Sequence, residues 1–271
     1  MRHAMLAMMA LLAMLTLQAQ AAGPDADLRD ATAKARAALL AENDEQVRAT
    51  MATSAYHDMR NMIAATGQAY TPAMLKSAAM GLPDAAQART LVTQIKGDTA
   101  LWIAQGDKDV VAVRLIRESG IWRFARINFF ATLEKLDEAT LLAALPPEFR
   151  ATGDVPPITP LLPVPQVLGQ YSIQHSGLVG EVKFHEHVTL ALKPIREGLP
   201  VGSSGVIVGG LQRGRNVITL SATATAPGTP VKCDITIKTF EPGKMGEAKV
   251  VHRADVSDKL PGTVTIEFNI E

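Results

Sequence analysis

The chain has 271 residues, 47% of them apolar and 20% charged, with 27 basic against 27 acidic side chains. At about 100–200 residues per domain this length implies two domains, and the apolar content excludes a disordered chain. Zero net charge with no Lys/Arg cluster argues against nucleic acid as a partner, because a duplex-binding surface carries a basic patch or stripe.

Arg2 and His3 precede an apolar run over residues 4–17, and Ala19 and Ala21 then offer small-residue spacing. This pattern predicts a secretory signal peptide over residues 1–22, cleaved after Ala21 or Ala22. The run falls short of the ~20 residues of a membrane span, and no other segment has the length, so no span is expected in the mature protein. The expected location is periplasmic or secreted. Cys233 is the single cysteine, which excludes an intrachain disulfide and a zinc site built on several thiolates.

Leu28, Ala31, Ala35 and Leu39 recur at helical spacing and predict a helix over residues 26–41. Asn43-Asp44 supplies an N-cap, and Val47, Met51, Ala55, Met59 and Ile63 predict one helix over residues 44–65, ended near Gly67. Thr71-Pro72 opens a third, short helix to about Ala79. Strand-like segments follow over residues 89–96, 99–104, 110–117 and 121–130, separated by Gly97-Asp98, Gly106-Asp107 and Ser119-Gly120. Turn chemistry at this spacing predicts an antiparallel meander. Residues 131–145 read as a helix that stops at Pro146-Pro147.

Residues 154–166 read DVPPITPLLPVPQ. Five prolines exclude helix interior and central strand, and predict an extended linker over residues 151–170. Beyond it apolar and polar residues alternate. Val182, Phe184, Val188, Leu190 and Leu192 alternate with Lys183, His185, His187, Thr189 and Lys193, and similar patterns span residues 218–225, 231–238 and 264–270. With residues 206–208 and 248–256 this gives about seven strands in roughly a hundred residues, the size of an immunoglobulin-like β-sandwich. Gly202-Ser203-Ser204-Gly205 reads as a flexible loop. The fold class is therefore α+β: helices plus a curved antiparallel sheet in residues 23–150, then an all-β sandwich in residues 171–271.

The helices followed by the strands over residues 97–104, 109–117 and 120–127, with a Gly-x-Trp hairpin at Gly120–Trp122, resemble the cone-shaped superfamily of nuclear transport factor two and ketosteroid isomerase, in its secreted bacterial members. The segment around Gly214-x-Asn216 is similar to a turn of bacterial immunoglobulin-like modules. The first resemblance implies a pocket between helices and concave sheet. Tyr56, His57 and Tyr70 are then the available polar aromatics, and Trp102 and Trp122 the wall. Tyr56, His57, Trp102 and Trp122 are accordingly the candidate ligand-binding residues, although both tryptophans also suit a core.

His185 and His187 share one face of their strand, with Glu186 on the other. A zinc site needs a third ligand, which would have to come from His175 or His252, and Lys183 opposes a cation, so no metal is assigned. Cys233 falls on the inward face of its strand and reads as an inert thiol. No nucleophile elbow, phosphate loop, dinucleotide fingerprint or His-Glu-x-x-His is present, so no catalytic residue and no cofactor is assigned. The leading expectation is a secreted, non-catalytic binding or interaction protein, its partner a small molecule or an envelope protein. The alternatives are an enzyme of the ketosteroid-isomerase type using His57 or a tyrosine, and an envelope assembly factor docking by edge-strand pairing. Mass spectrometry of the exported chain is expected to find Ala22 or Gly23 as the first residue; an intact Met1 overturns the export reading.

Overall fold

A computed structural model describes residues 24–106, 109–130, 136–185, 188–192 and 200–271. The predicted signal peptide and His187 lie outside the described residues. The described chain is mixed α+β, with five α-helices and three four-stranded antiparallel sheets. Among the described residues no helix is long and apolar enough to cross a membrane. Contacts divide the chain into two compact units. The first runs to Tyr56 and includes Thr71–Ile158; the second comprises His57–Tyr70 and Thr159–Glu271.

In the first unit, helix α1 (Pro24–Leu40) opens with proline and with Asp25 and Asp27 in its first turn, where carboxylates favour the positive end of the helix. Leu28, Thr32, Ala35 and Leu39 are buried along one stripe. The helix expected over residues 44–65 is instead two helices, α2 (Asp44–Thr50) and α3 (Thr53–Ala65). Met51 is extended and forms a parallel bridge with Phe124, and the Ala52 N–H donates to the Phe124 carbonyl at 2.8 Å. The Glu118 carboxylate then accepts from the Thr53 N–H (2.8 Å) and hydroxyl (2.9 Å), which restarts the helix. A pairing partner distant in sequence overrides a periodicity that runs unbroken through the break.

A 3-10 turn (Pro72–Leu75) and α4 (Lys76–Gly81) replace the predicted third helix. Strands β1 (Arg89–Lys96), β2 (Thr99–Gln105), β3 (Val110–Glu118) and β4 (Ile121–Phe129) then form a meander in sequence order. Ser119 (φ 50°) and Gly120 (φ 81°) make its last turn, both in the left-handed region that two-residue hairpins favour. Of the helix expected over residues 131–145, α5 (Glu138–Ala144) is observed. Asp137 caps it by accepting from the Thr140 N–H at 3.0 Å, and residues 131–135 lie outside the described residues.

Both faces of this sheet are filled. Val92, Leu101, Ile103 and Ala112 pack against Leu141, Leu145 and Phe149. On the same face Arg114 donates to the carbonyls of Glu148 and Asp154, and the Gly153 N–H donates to Thr99 Oγ1 at 2.9 Å. Trp102, Val113 and Leu115, alternating with these, occupy the other face, where α1 packs on β1, β2 and β4.

The second unit carries eight described strands: β5 (Leu168–Ser176), β6 (Leu178–His185), β7 (Val188–Leu192), β8 (Val201–Val206), β9 (Gly214–Ala224), β10 (Lys232–Phe240), β11 (Lys249–Asp255) and β12 (Gly262–Ile270). They form two sheets, ordered β11-β10-β5-β8 and β12-β9-β6-β7. One apolar cluster draws on both, including Ile173, Ile235 and Ile237 from the first and Val182, Leu220, Ile266 and Phe268 from the second. Full burial of one such side chain contributes about 1.5–3 kcal/mol.

The segment expected as a loop at residues 202–205 is strand β8, paired with β5 from His175↔Val201 to Gln170↔Val206. A Cβ on Gly205 would stand 3.0 Å from Tyr171 Oη, so glycine here makes room for the tyrosine ring lying across the strand. Strand β5 also begins inside the stretch read as linker, and the contact division falls within the proline run, at Ile158/Thr159.

From Thr159 on, the run is fastened to α3. His57 Nδ1 stands 2.8 Å from the Thr159 carbonyl, so the ring proton is on Nδ1. Asn61 donates from Nδ2 to the Pro160 carbonyl at 2.9 Å and accepts from the Leu162 N–H at 2.9 Å. Asn61 is 3% exposed, so removing its amide strands two buried backbone groups. Asn61→Ala is expected to destabilise the second unit by about 2–3 kcal/mol in urea denaturation and to open residues 159–165 to limited proteolysis. An unchanged midpoint and digest would show that the fastening contributes nothing.

Candidate functional site

The structure does not gather the four aromatic candidates into one pocket. Tyr56 is buried, and its hydroxyl donates to the Asp44 carboxylate at 3.1 Å. His57 belongs to the second unit and holds Thr159. Trp102 has no exposed surface; its indole N–H donates to Thr90 Oγ1 at 2.9 Å, and Thr90 in turn donates to Asp25 at 3.0 Å. Arg29 lies 5.8 Å from the Trp102 ring centre and donates to the carbonyls of Ala85 and Ala88. Trp122 is half-buried on β4, with the Arg117 guanidinium 4.7 Å from its ring centre. Tyr70 carries Arg60 over its ring at 3.9 Å. Each is engaged by its own neighbours.

The histidines and the cysteine are equally dispersed. Cys233 is wholly buried on β10, and burial pushes its thiol up to about 11, far from the thiolate a nucleophile needs. His175 lies directly across from it on β5 and is 3% exposed; desolvation pulls the imidazole below its ordinary value. His252, on β11, stacks on Phe268 at 5.0 Å between ring centres. His185 ends β6, opposite Val188. Among the described residues no group of three His, Cys, Asp or Glu side chains is placed to hold a metal.

The second unit instead forms an open groove of about 620 Å³. Its apolar lining comes from Pro165, Val167, Leu168, Phe240 and Ile270, and its charged lining from Arg213, Lys244 and Lys249 with Glu241, Glu247 and Glu271. Leu168 and Phe240 are buried and the six charged residues exposed, which gives an apolar floor with a rim of both signs. The floor is held by an antiparallel bridge between Val167 and Leu211, hydrogen-bonded in both directions at 3.2 and 2.8 Å. Gly67 closes one wall at φ +74°; a Cβ there would stand 2.4 Å from Leu168 Cδ1 and 3.0 Å from Pro242 Cγ. On the rim Lys244 bonds Glu241 at 2.7 Å, which lowers the Glu241 pKa and raises that of Lys244.

Among the described residues lining the groove there is no histidine, cysteine, serine or tyrosine, and its carboxylates are exposed. Sequence reasoning missed it because its walls come from five separated segments. The single local signal was Gly67 after a helix, which marked a helix end and nothing more. No protein-family model, curated protein or solved structure matches the chain.

Buried His175 makes a prediction about pH. Its folded-state pKa lies below the unfolded value of about 6.5, so between the two the unfolded chain binds more protons and stability falls with falling pH. The urea midpoint is expected to drop from pH 7.5 to pH 5, with a shallower drop in His175→Leu. Equal slopes in both proteins would place the pH dependence elsewhere.

Proposed function

We propose that this chain is an exported, non-catalytic binding protein, and that the groove of the second unit receives an extended segment of a partner polypeptide. The observation that carries the reading is the groove itself, with its apolar floor and a charged rim on which neither sign prevails. Such a rim selects neither a polyanion nor a polycation, and suits a peptide whose apolar side chains are flanked by charges of both signs. The basic start at Arg2 and the apolar run over residues 4–17 support export, to a periplasm in the simplest case.

On this reading the first unit is a cone-like member of the nuclear transport factor two and ketosteroid isomerase superfamily. Side chains occupy both faces of its sheet, which favours a structural role over a pocket. The second unit is then an immunoglobulin-like sandwich, a reading supported by two four-stranded sheets that share one core.

The test is native mass spectrometry of the protein taken from its own compartment, beside an Arg213→Glu, Lys249→Glu double variant. Both positions are exposed, so the fold should be unaffected. The expected result is a bound polypeptide in the native protein that is lost in the variant. A bound species retained in the variant, or turnover of a ketosteroid abolished by His57→Ala, would overturn the reading.

A further inference from the structure

We propose that β12 is a self-association edge, and that two copies of the chain pair their β12 strands antiparallel to join two four-stranded sheets into one of eight strands. The inference rests on how β12 differs from every other edge among the described strands; Ile270, at its end, is the one residue it shares with the groove.

Among the described strands β12 ends its sheet and pairs with β9 alone. The ladder runs from Gly262↔Ala222 to Ile270↔Gly214 with no shift of register, so its outer side presents unpaired N–H and C=O groups over nine residues. Edges of this kind invite another strand unless something blunts them. The remaining edges are blunted. The β1 ladder is bulged between Thr90 and Val92, and β4 is bridged by Met51. The β10–β11 ladder slips between Ile237 and Lys238, and β11 carries Lys249, Arg253 and Asp255. The β6–β7 ladder slips between Lys183 and His185, and β8 is six residues long. Strand β12 has no lysine, arginine, proline or bulge. Its one charge, Glu267, is drawn toward β9 by Arg215 at 2.5 Å.

The strand is also complementary to itself. Val264, Ile266 and Phe268 are buried on one face, and Thr263, Thr265, Glu267 and Asn269 lie on the other. With the twofold axis at Ile266, Val264 of one copy meets Phe268 of the next, Thr263 meets Asn269 and Thr265 meets Glu267. Apolar pairs with apolar, polar with polar, and no like charges meet. A slip of one residue sets the apolar face against the polar face, and an axis at Glu267 sets two carboxylates opposite each other. Isologous pairing uses both β12 edges, so assembly stops at a dimer.

The pairing fixes a charge test at Thr265, which is exposed and which the twofold places opposite Glu267 twice per dimer. Sedimentation velocity of the purified chain is expected to show a concentration-dependent dimer. Thr265→Glu should raise its dissociation constant about tenfold, while Thr265→Lys, facing Glu267, leaves it unchanged or lower. Oxidising a mixture of Thr265→Cys and Glu267→Cys chains should yield mixed disulfide dimers in excess over like pairs, since native Cys233 is fully buried. A chain that stays monomeric at about 100 μM, a concentration that would populate a dimer of micromolar affinity, overturns the proposal. So do Glu and Lys variants that weaken the dimer alike.

Discussion

The second unit depends on how a proline-rich segment satisfies its backbone. Prolines donate no hydrogen bond, and the spacing of Pro160, Pro163 and Pro165 prevents the segment from joining a sheet until Leu168. Its carbonyls at Thr159 and Pro160 and its N–H at Leu162 are met instead by two side chains of α3, His57 and Asn61. This gives residues 57–70 to the second unit and brings Gly67 against Leu168 and Pro242. The groove wall is thus a by-product of the fastening. His57, whose tautomer resembles that of an oriented catalytic base, spends its Nδ1 proton on structure.

In the first unit the second strand of the sheet is filled on both sides. Every β2 residue from Thr99 to Ala104 is buried, so neither side of the sheet is left to a ligand along that strand. The cost of this arrangement is carried by Arg114, which is 8% exposed and bonded to backbone carbonyls. Burial and the neighbouring Arg126 lower its pKa, with Glu148 opposing them. A buried guanidinium held by carbonyls of residues 148 and 154 fixes that segment against the sheet, because withdrawing either acceptor leaves a charge undersolvated.

Chemistry that looks available in the composition is dispersed by the fold. Cys233 and His175 are cross-strand neighbours, a pairing that in a wetter site would suggest an activated thiol. Here desolvation raises one pKa and lowers the other, so both groups are held neutral. The two facing sheets use the pair as core filling.

The sequence by itself determined the α+β class, the hairpin at Ser119-Gly120, the capped start of α2 and the inward positions of the β9, β10 and β12 strands. These follow from periodicity and turn chemistry, which act over a few residues and are written into adjacent positions. The tertiary structure alone decided the break at Met51, the strand identity of Val201–Val206, the membership of His57–Tyr70 and the groove. Each depends on a partner distant in the chain: Phe124 for Met51, Tyr171 for Gly205, Thr159 for His57, and Leu168 and Pro242 for Gly67. A local pattern states which face a residue prefers. It does not state which distant backbone will supply the missing hydrogen bond, and in this protein that choice set both the unit boundaries and the candidate site.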